Sequence, residues 1–174
     1  MLGLKTLGVV LIISGFGSYG LMGARRLDKR VHQIRNIRLA MAFLEKEITY
    51  LHTPLTTALA RAAQSIPYPA SMLFSHCARS LQDRQGATFT EAWRASLEQL
   101  ARVSELKKED LELLQSVASQ LGMSGADDQQ RFFRYIEEQL KIQEDKSRHE
   151  LESGRKIRAY GGFILGSTVV LLLF

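Results

Sequence analysis

The sequence predicts an all-α protein: a cytoplasmic helical bundle of about six helices, with the first and last helices continuing into two transmembrane helices. Three observations support this prediction. Apolar residues recur at spacings of three and four through the middle of the chain, no stretch alternates convincingly with a period of two, and an apolar run lies near each end. The predicted domains are a transmembrane helix over 1–24, the bundle over 25–158 and a second transmembrane helix over 159–174.

The first apolar run extends from Thr6 to Ala24 and contains no ionisable side chain. As a helix it would be about 28 Å long, close to the thickness of a bilayer core. Four basic residues come directly after it: Arg25, Arg26, Lys29 and Arg30. The alternative is a cleaved signal peptide, but no clear small-x-small cleavage site precedes the basic cluster, and such a cluster opposes export of the downstream chain.

The second apolar run extends from Ala159 to Phe174 and would be about 24 Å long as a helix. Three basic residues precede it: Arg155, Lys156 and Arg158. Lys and Arg beside membrane segments favour the cytoplasmic side, so both termini are expected outside and the bundle in the cytoplasm. The alternative, a buried core helix, fits less well with a run at the C-terminus behind three basic residues.

Small residues in the membrane runs give a weak packing signal. Gly162 and Gly166 share one helix face, which permits close approach of another helix, either the first span or another subunit. The alternative is simple tolerance, because glycine is common in membrane helices.

The net charge of +5 is distributed unevenly along the chain. Residues 1–38 hold seven basic residues and one acidic residue, residues 39–152 hold 13 basic and 17 acidic residues, and residues 153–174 hold three basic residues. The excess positive charge therefore belongs to the membrane boundaries, which argues against nucleic-acid binding. The single cysteine, Cys77, can form no intramolecular disulfide, which suits a reducing cytoplasm.

The first bundle helix continues from the membrane and should end near His52. Its apolar seam has a heptad-like spacing, with Glu47 off the seam. The seam consists of Ile34, Ile37, Met41, Leu44, Ile48 and Leu51. Thr53 is then expected as an N-cap with Pro54 at the first helical position, starting a short helix that ends near Gln64 and buries Leu55.

Local signals place the remaining helices. Prolines in the segment 66–69 separate the short helix from one over about 69–83. Thr88 and Glu91 form a capping-box pattern before a helix over about 89–103. A helix over about 107–121 comes next, with Gly122 as its left-handed cap. The last helix begins near Ala126, and its polar segment 141–158 is expected to be a solvated stalk.

Little in the sequence indicates chemistry. The histidines are isolated, no metal-ligand spacing occurs and no phosphate-binding loop is present, so no catalytic site, metal, cofactor or small-molecule substrate is expected. Cys77 is interpreted as a buried thiol and Trp93 as a core anchor. Three carboxylate pairs are interpreted as solvated helix faces or helix N-termini, or as parts of a docking surface. These pairs are Glu109-Asp110, Asp127-Asp128 and Glu137-Glu138.

Specific motifs then resemble a known family. Glu47-Ile-x-Tyr50 is followed by His52-Thr53-Pro54-Leu55, with Trp93 near the middle, Leu121-Gly122 after it and an apolar tail. This order closely resembles the stage III sporulation protein AB family over essentially the whole chain. The resemblance implies a subunit of a channel complex between mother cell and forespore, in the outer forespore membrane.

The resemblance also implies a bundle similar to the cytoplasmic domain of type II secretion F proteins, the inner-membrane platform on which a secretion ATPase works. A stage III sporulation protein AA-like ATPase and other channel subunits would be its partners. The residues alone agree with a non-enzymatic scaffold. A membrane-tethered regulator or adaptor that binds a soluble signalling protein is the alternative.

Overall fold

Six α-helices and one π-helical turn account for most of the described chain. In this computed structural model the described backbone covers residues 2–83, 86, 88–121 and 126–173, and no strand occurs within those ranges. The helices are α1 (Leu2–Glu45), α2 (Leu55–Ser65), α3 (Ala70–Gln82), α4 (Phe89–Val103), α5 (Lys108–Leu121) and α6 (Ala126–Leu173), and the π-helical turn is Lys46–Tyr50. The predicted all-α class with six helices is confirmed.

The chain divides into two compact units. A terminal unit consists of Met1–Lys29 and Lys146–Phe174, and a central unit consists of Arg30–Asp145. Among the residues described in full, no helix combines the length and apolarity needed to cross a membrane. The second predicted span, with Gly162 and Gly166, and all of the first except Gly23 lie outside those residues.

The core of the central unit receives apolar side chains from every helix. Trp93 is fully buried, as predicted, and its ring lies 5.8 Å from that of Phe74 and 5.5 Å from that of Phe89 between centroids. Its indole Nε1–H donates to the carbonyl of Leu114 at 2.8 Å, which joins α4 to α5. Cys77 is also buried, as predicted, and burial raises the pKa of its thiol to about 12.

The sequence signals for helix ends are largely confirmed. Helix α4 has the predicted bounds, and its capping box is complete: the Thr88 hydroxyl accepts from the backbone N–H of Glu91, whose carboxylate accepts from that of Thr88. Helix α2 begins one residue later than predicted, because the carbonyl of Pro54 accepts the first helical hydrogen bond, from Ala58, and Pro54 is therefore the N-cap. Gly122, the predicted cap of α5, lies outside the described residues.

Candidate docking surface

The described residues show no catalytic centre. They contain no group of three or more His, Cys, Asp or Glu residues that could hold a metal ion. One serine–histidine contact occurs, with His76 Nδ1 at 3.1 Å from Ser96 Oγ. The Ser96 hydroxyl donates instead to the carbonyl of Ala92 at 2.6 Å and is fully buried, so this pair joins α3 to α4 and leaves no activated nucleophile.

The connection between α1 and α2 is a rigid turn that we call the knuckle, residues 46–54. The π-helical turn Lys46–Tyr50 ends with a hydrogen bond from the N–H of Leu51 to the carbonyl of Lys46. His52 then has a φ of 51°, a left-handed conformation that non-glycine residues rarely adopt. The N–H of Thr53 closes the knuckle by donating to the carbonyl of Glu47 at 2.9 Å.

A buried carboxylate holds the knuckle against α2. Glu47 is buried, and its two oxygens lie 3.0 and 3.4 Å from Nη1 of Arg61, which is about half exposed. The interpretation of Glu47 as a residue off the buried seam is therefore wrong: the π-helical turn changes the phase of the helix at this point and directs the carboxylate inward. On the other side of the knuckle, the Gln130 amide donates to the Tyr50 hydroxyl at 3.1 Å.

The outer side of the knuckle is apolar and open to solvent. Tyr50 and Leu51 are each 65% exposed, and His52 and Pro54 are exposed beside them. The prediction that Leu51 continues the buried seam is wrong for the same reason of helical phase. Exposed apolar side chains on a fixed backbone are typical of a protein-binding site, and π-helical turns occur frequently at functional sites.

The basic residues after the first apolar run differ in their surroundings. Arg25, Arg26 and Lys29 are exposed. Arg30 is only 1% exposed and forms a bidentate ion pair with Asp110, Nε to Oδ2 at 2.8 Å and Nη2 to Oδ1 at 2.9 Å. The corresponding residues before the second run, Arg155, Lys156 and Arg158, have side chains outside the described ranges.

The role of Asp110 as the buried partner of Arg30 was not predicted from the sequence. Asp110 is as buried as Arg30, so the interpretation of the Glu109-Asp110 pair as a solvated face is wrong for Asp110. Glu109, about one third exposed, also contacts Arg30 at 2.8 Å. The sequence indicates only that Asp110 lies in the first turn of α5. There its carboxylate accepts the backbone N–H of Lys107 at 2.8 Å.

The polar part of α6 inside the central unit also differs from the prediction. Glu144 is buried and accepts from Nε of Arg38 at 3.0 Å. The face of segment 141–145 that carries Glu144 therefore contacts α1 and is not part of a solvated stalk. Arg38 also lies 3.7 Å from Glu137. Burial, together with the nearby negative charge of Glu137, raises the pKa of Glu45, about two turns after Arg38 on α1.

Comparison with known proteins identifies the family. The family model for stage III sporulation protein AB matches residues 5–174. The chain belongs to the stage III sporulation protein AB family. Stage III sporulation protein AB of Bacillus subtilis (strain 168) is 32% identical over 170 residues, covering 98% of this chain and 99% of the relative. A solved structure of a stage III sporulation protein AB has a TM-score of 0.67 at 32% identity, covering 71% of this chain and 97% of that one.

Most residues that carry the resemblance to the stage III sporulation protein AB family meet at the knuckle. These residues are Glu47, Tyr50, His52, Thr53 and Pro54, and Leu55 follows them as the first residue of α2. Trp93 lies apart from them in the core, where it packs the helices together. The knuckle is therefore the strongest candidate for a binding surface in the central unit, because the buried Glu47 holds it against α2 and the exposed Tyr50 and Leu51 present an apolar patch.

Proposed function

We propose that this sporulation protein is a non-enzymatic membrane platform in the channel complex between mother cell and forespore, and that it docks a cognate secretion-type ATPase. Its place would be the outer forespore membrane, with the bundle in the mother-cell cytoplasm and both termini outside. The ATPase would resemble stage III sporulation protein AA. The bundle would then act as type II secretion F proteins do, as the surface against which the ATPase works.

One observation carries the proposal: the knuckle presents Tyr50 and Leu51 to solvent while Glu47 and Gln130 hold the chain beneath them. A rigid site loses little conformational entropy on binding, because its backbone is already ordered. Aromatic side chains at the centre of an interface contribute a large share of binding free energy. The knuckle therefore has the chemistry of a protein contact, and no reacting group lies beside it among the described residues.

The docking test uses the full chain in detergent and the purified ATPase. We expect the unchanged protein to retain the ATPase in a pull-down, and Tyr50→Ser with Leu51→Ser to weaken binding by about thirtyfold or more, the effect of losing an interface hot spot. Tyr135→Ser is the matched control, because Tyr135 is 53% exposed on α6 and belongs to no part of the knuckle. The control should bind as the unchanged protein does.

Two results would contradict this docking scheme. Failure of the unchanged, folded protein to bind the ATPase would rule out the proposed role as a platform for the ATPase. Equal binding by the knuckle variant and the unchanged protein would rule out the knuckle as the docking surface, and the proposed platform role would still stand. Folding of each variant is monitored by protection of Cys77, whose buried thiol reacts only when the core opens.

The proposed topology has its own test. Cysteines introduced at Leu2 and Leu173 should react with a membrane-impermeant reagent from outside the mother-cell cytoplasm, and one introduced at Lys46 should react only from the cytoplasmic side. Reaction of all three from one side would refute the proposed membrane hairpin.

A further inference from the structure

Three exposed basic side chains lie around the knuckle, on three different elements of the central unit. Lys46 is the first residue of the π-helical turn and is exposed. Arg61 of α2 contacts the buried carboxylate of the knuckle at 3.0 Å, and 55% of its side chain remains exposed. Arg134 is exposed on α6, about one turn after Gln130, which contacts the knuckle through a hydrogen bond of 3.1 Å. We call Lys46, Arg61 and Arg134 the basic rim.

Two members of the basic rim approach the same carboxyl group. Glu45 precedes Lys46 and is half-buried. Burial and the negative charge of Glu137 raise the pKa of Glu45, and the positive charges of Arg134 and Lys46 act on it in the opposite direction. Arg134 reaches this carboxyl from α6 and Lys46 reaches it from the knuckle, so both lie on the same side of the bundle.

The acidic groups near the knuckle do not balance its exposed positive charge. Glu47 is buried and already paired, and α2 contains no acidic residue. Asp128 is exposed, but it lies two residues before Gln130 and therefore on roughly the opposite side of α6. Within the described part of the chain, neither Lys46 nor Arg134 forms an ion pair. The solvent side of the knuckle is therefore basic, although residues 39–152 hold 13 basic and 17 acidic residues.

The basic rim lies around an apolar centre. Tyr50 and Leu51 are each 65% exposed between its members. Protein interfaces place aromatic and apolar side chains at the centre and charged groups at the perimeter. A nucleic-acid site instead needs basic groups along the whole length of the phosphate backbone that it follows. The arrangement at the knuckle is therefore that of a protein contact, and its charge selects an acidic partner surface.

We propose that the knuckle binds an acidic segment of its partner: an apolar side chain of that segment packs on Tyr50 and Leu51, and carboxylates beside it pair with the basic rim. This inference rests on the proposed function, because the partner is the ATPase that docks there, and it adds the chemistry of the docking surface on the ATPase. Complementary charges at the edge of an interface accelerate the encounter of two proteins more than they lengthen the life of the complex. The basic rim therefore guides the ATPase to the knuckle, and the apolar centre retains it.

Binding kinetics separate these two roles. The full chain is immobilised in a non-ionic detergent, and the ATPase is supplied in solution at low and at high salt. Lys46→Gln combined with Arg134→Gln should lower the association rate constant about fivefold at low salt, with little effect on dissociation. High salt should slow association with the unchanged protein more than with this double variant, because ions screen the same attraction. Tyr50→Ser with Leu51→Ser should instead act mainly by accelerating dissociation.

The matched control removes two positive charges elsewhere. Arg94 and Arg102 are exposed on α4, and neither belongs to the knuckle. Arg94→Gln with Arg102→Gln should change the association rate constant by less than about twofold, since the net charge falls equally but no charge is lost beside the docking surface. Arg61 stays unchanged in every variant, because its loss would leave Glu47 buried without its partner. Protection of the buried Cys77 thiol reports that each variant is folded.

Crosslinking identifies the groups that face Lys46. A water-soluble carbodiimide joins an amine directly to a carboxyl group when the two are in contact. We expect Lys46 to be joined to an aspartate or glutamate of the ATPase, as identified by mass spectrometry of the crosslinked peptides. Lys46→Arg keeps the positive charge but lacks the amine, so it should bind the ATPase as the unchanged protein does and lose this crosslink.

The outcomes separate this inference from the proposed function. Binding that depends on Tyr50 and Leu51, with the same association rate in the Lys46–Arg134 double variant, would overturn the acidic segment and leave docking of the ATPase intact. A crosslink from Lys46 to a second copy of this chain would overturn it as well, as would binding of an oligonucleotide that the double variant loses. Absence of ATPase binding by the unchanged, folded protein would refute the docking itself and this inference with it.

Discussion

Replacing Asp110 by Ala should destabilise the central unit strongly, because it leaves the charge of Arg30 buried without its main partner. Both side chains are 1% exposed and joined by two hydrogen bonds of 2.8 and 2.9 Å. Removing one member of a buried pair costs about 3–5 kcal/mol. Arg30 keeps its contact with the partly exposed Glu109, so the lower end of that range, about 3 kcal/mol, is expected.

The assay for this loss uses Cys77 in the full chain in detergent. Its thiol is buried and, with a pKa of about 12, almost entirely protonated at neutral pH. The rate of reaction with a thiol reagent therefore reports opening of the core, and its dependence on urea gives the free energy of unfolding. Glu109→Gln is the matched control, and the loss of its partly exposed charge should cost less than about 1 kcal/mol.

A double variant sharpens this prediction. Arg30→Met combined with Asp110→Leu removes both charges and replaces them with apolar groups, so it should recover most of the stability that Asp110→Ala loses. The reasoning would be refuted if Asp110→Ala cost no more than Glu109→Gln. It would also be refuted if the double variant were as unstable as the sum of its two single substitutions, because the charges would then contribute independently.

Three further predictions use the same unfolding measurement or a simpler one. Thr88→Ala should cost about 1 kcal/mol by removing the N-cap of α4. The Thr88 backbone N–H and hydroxyl lower the pKa of Glu91, so its contribution is complete above the ordinary pKa of 4.5 and is lost as the pH falls through the lowered value. In a pH series the stability difference between the two proteins should narrow in acid by the share of the Thr88 hydroxyl in that contribution, and the share from the Thr88 hydroxyl that caps the Glu91 N–H should remain. Trp93→Phe should cost about 2 kcal/mol, measured by circular dichroism, because it removes both the hydrogen bond to Leu114 and part of the ring volume. The stability of the unchanged protein should fall as the pH rises above the ordinary thiol pKa of 9, because the Cys77 thiol ionises there only in the unfolded chain; a flat profile across the range between that value and about 12 would contradict the burial argument.

Helix positions were largely predictable because their signals are local. The capping box of Thr88 and Glu91 predicted the start of α4, and the apolar face that continues to Leu100 predicted its end to within one turn. The break between α2 and α3 was predictable from the prolines, since Ile66 precedes Pro67 and is extended. Trp93 was correctly assigned to the core because its neighbours on the same helix face are also apolar.

The buried charges were not predictable, because their partners are distant in sequence. Arg30 and Asp110 are separated by 80 positions, and Arg38 and Glu144 by 106. No local pattern distinguishes such a residue from a solvated one of the same type. The conformation of the knuckle was wrongly predicted for a different reason. The α-helical period was extended through Lys46–Tyr50, but the π-helical turn there changes the phase of the helix and places Leu51 outside the core.

These distant polar pairs have a consequence for how α1 is placed in the central unit. An apolar seam that repeats every three or four residues permits α1 to slide by one turn and still bury apolar side chains. The polar contacts do not permit it, since a slide of one turn would separate Arg30 from Asp110 and Gln33 from the backbone N–H of Glu105, which lies between α4 and α5. Each unpaired buried charge costs several kcal/mol, which exceeds what most single apolar contacts could recover. The apolar seam therefore supplies stability to the bundle, while the buried polar pairs select one register of α1, and with it the position of the knuckle and the contact of α1 with the segment between α4 and α5.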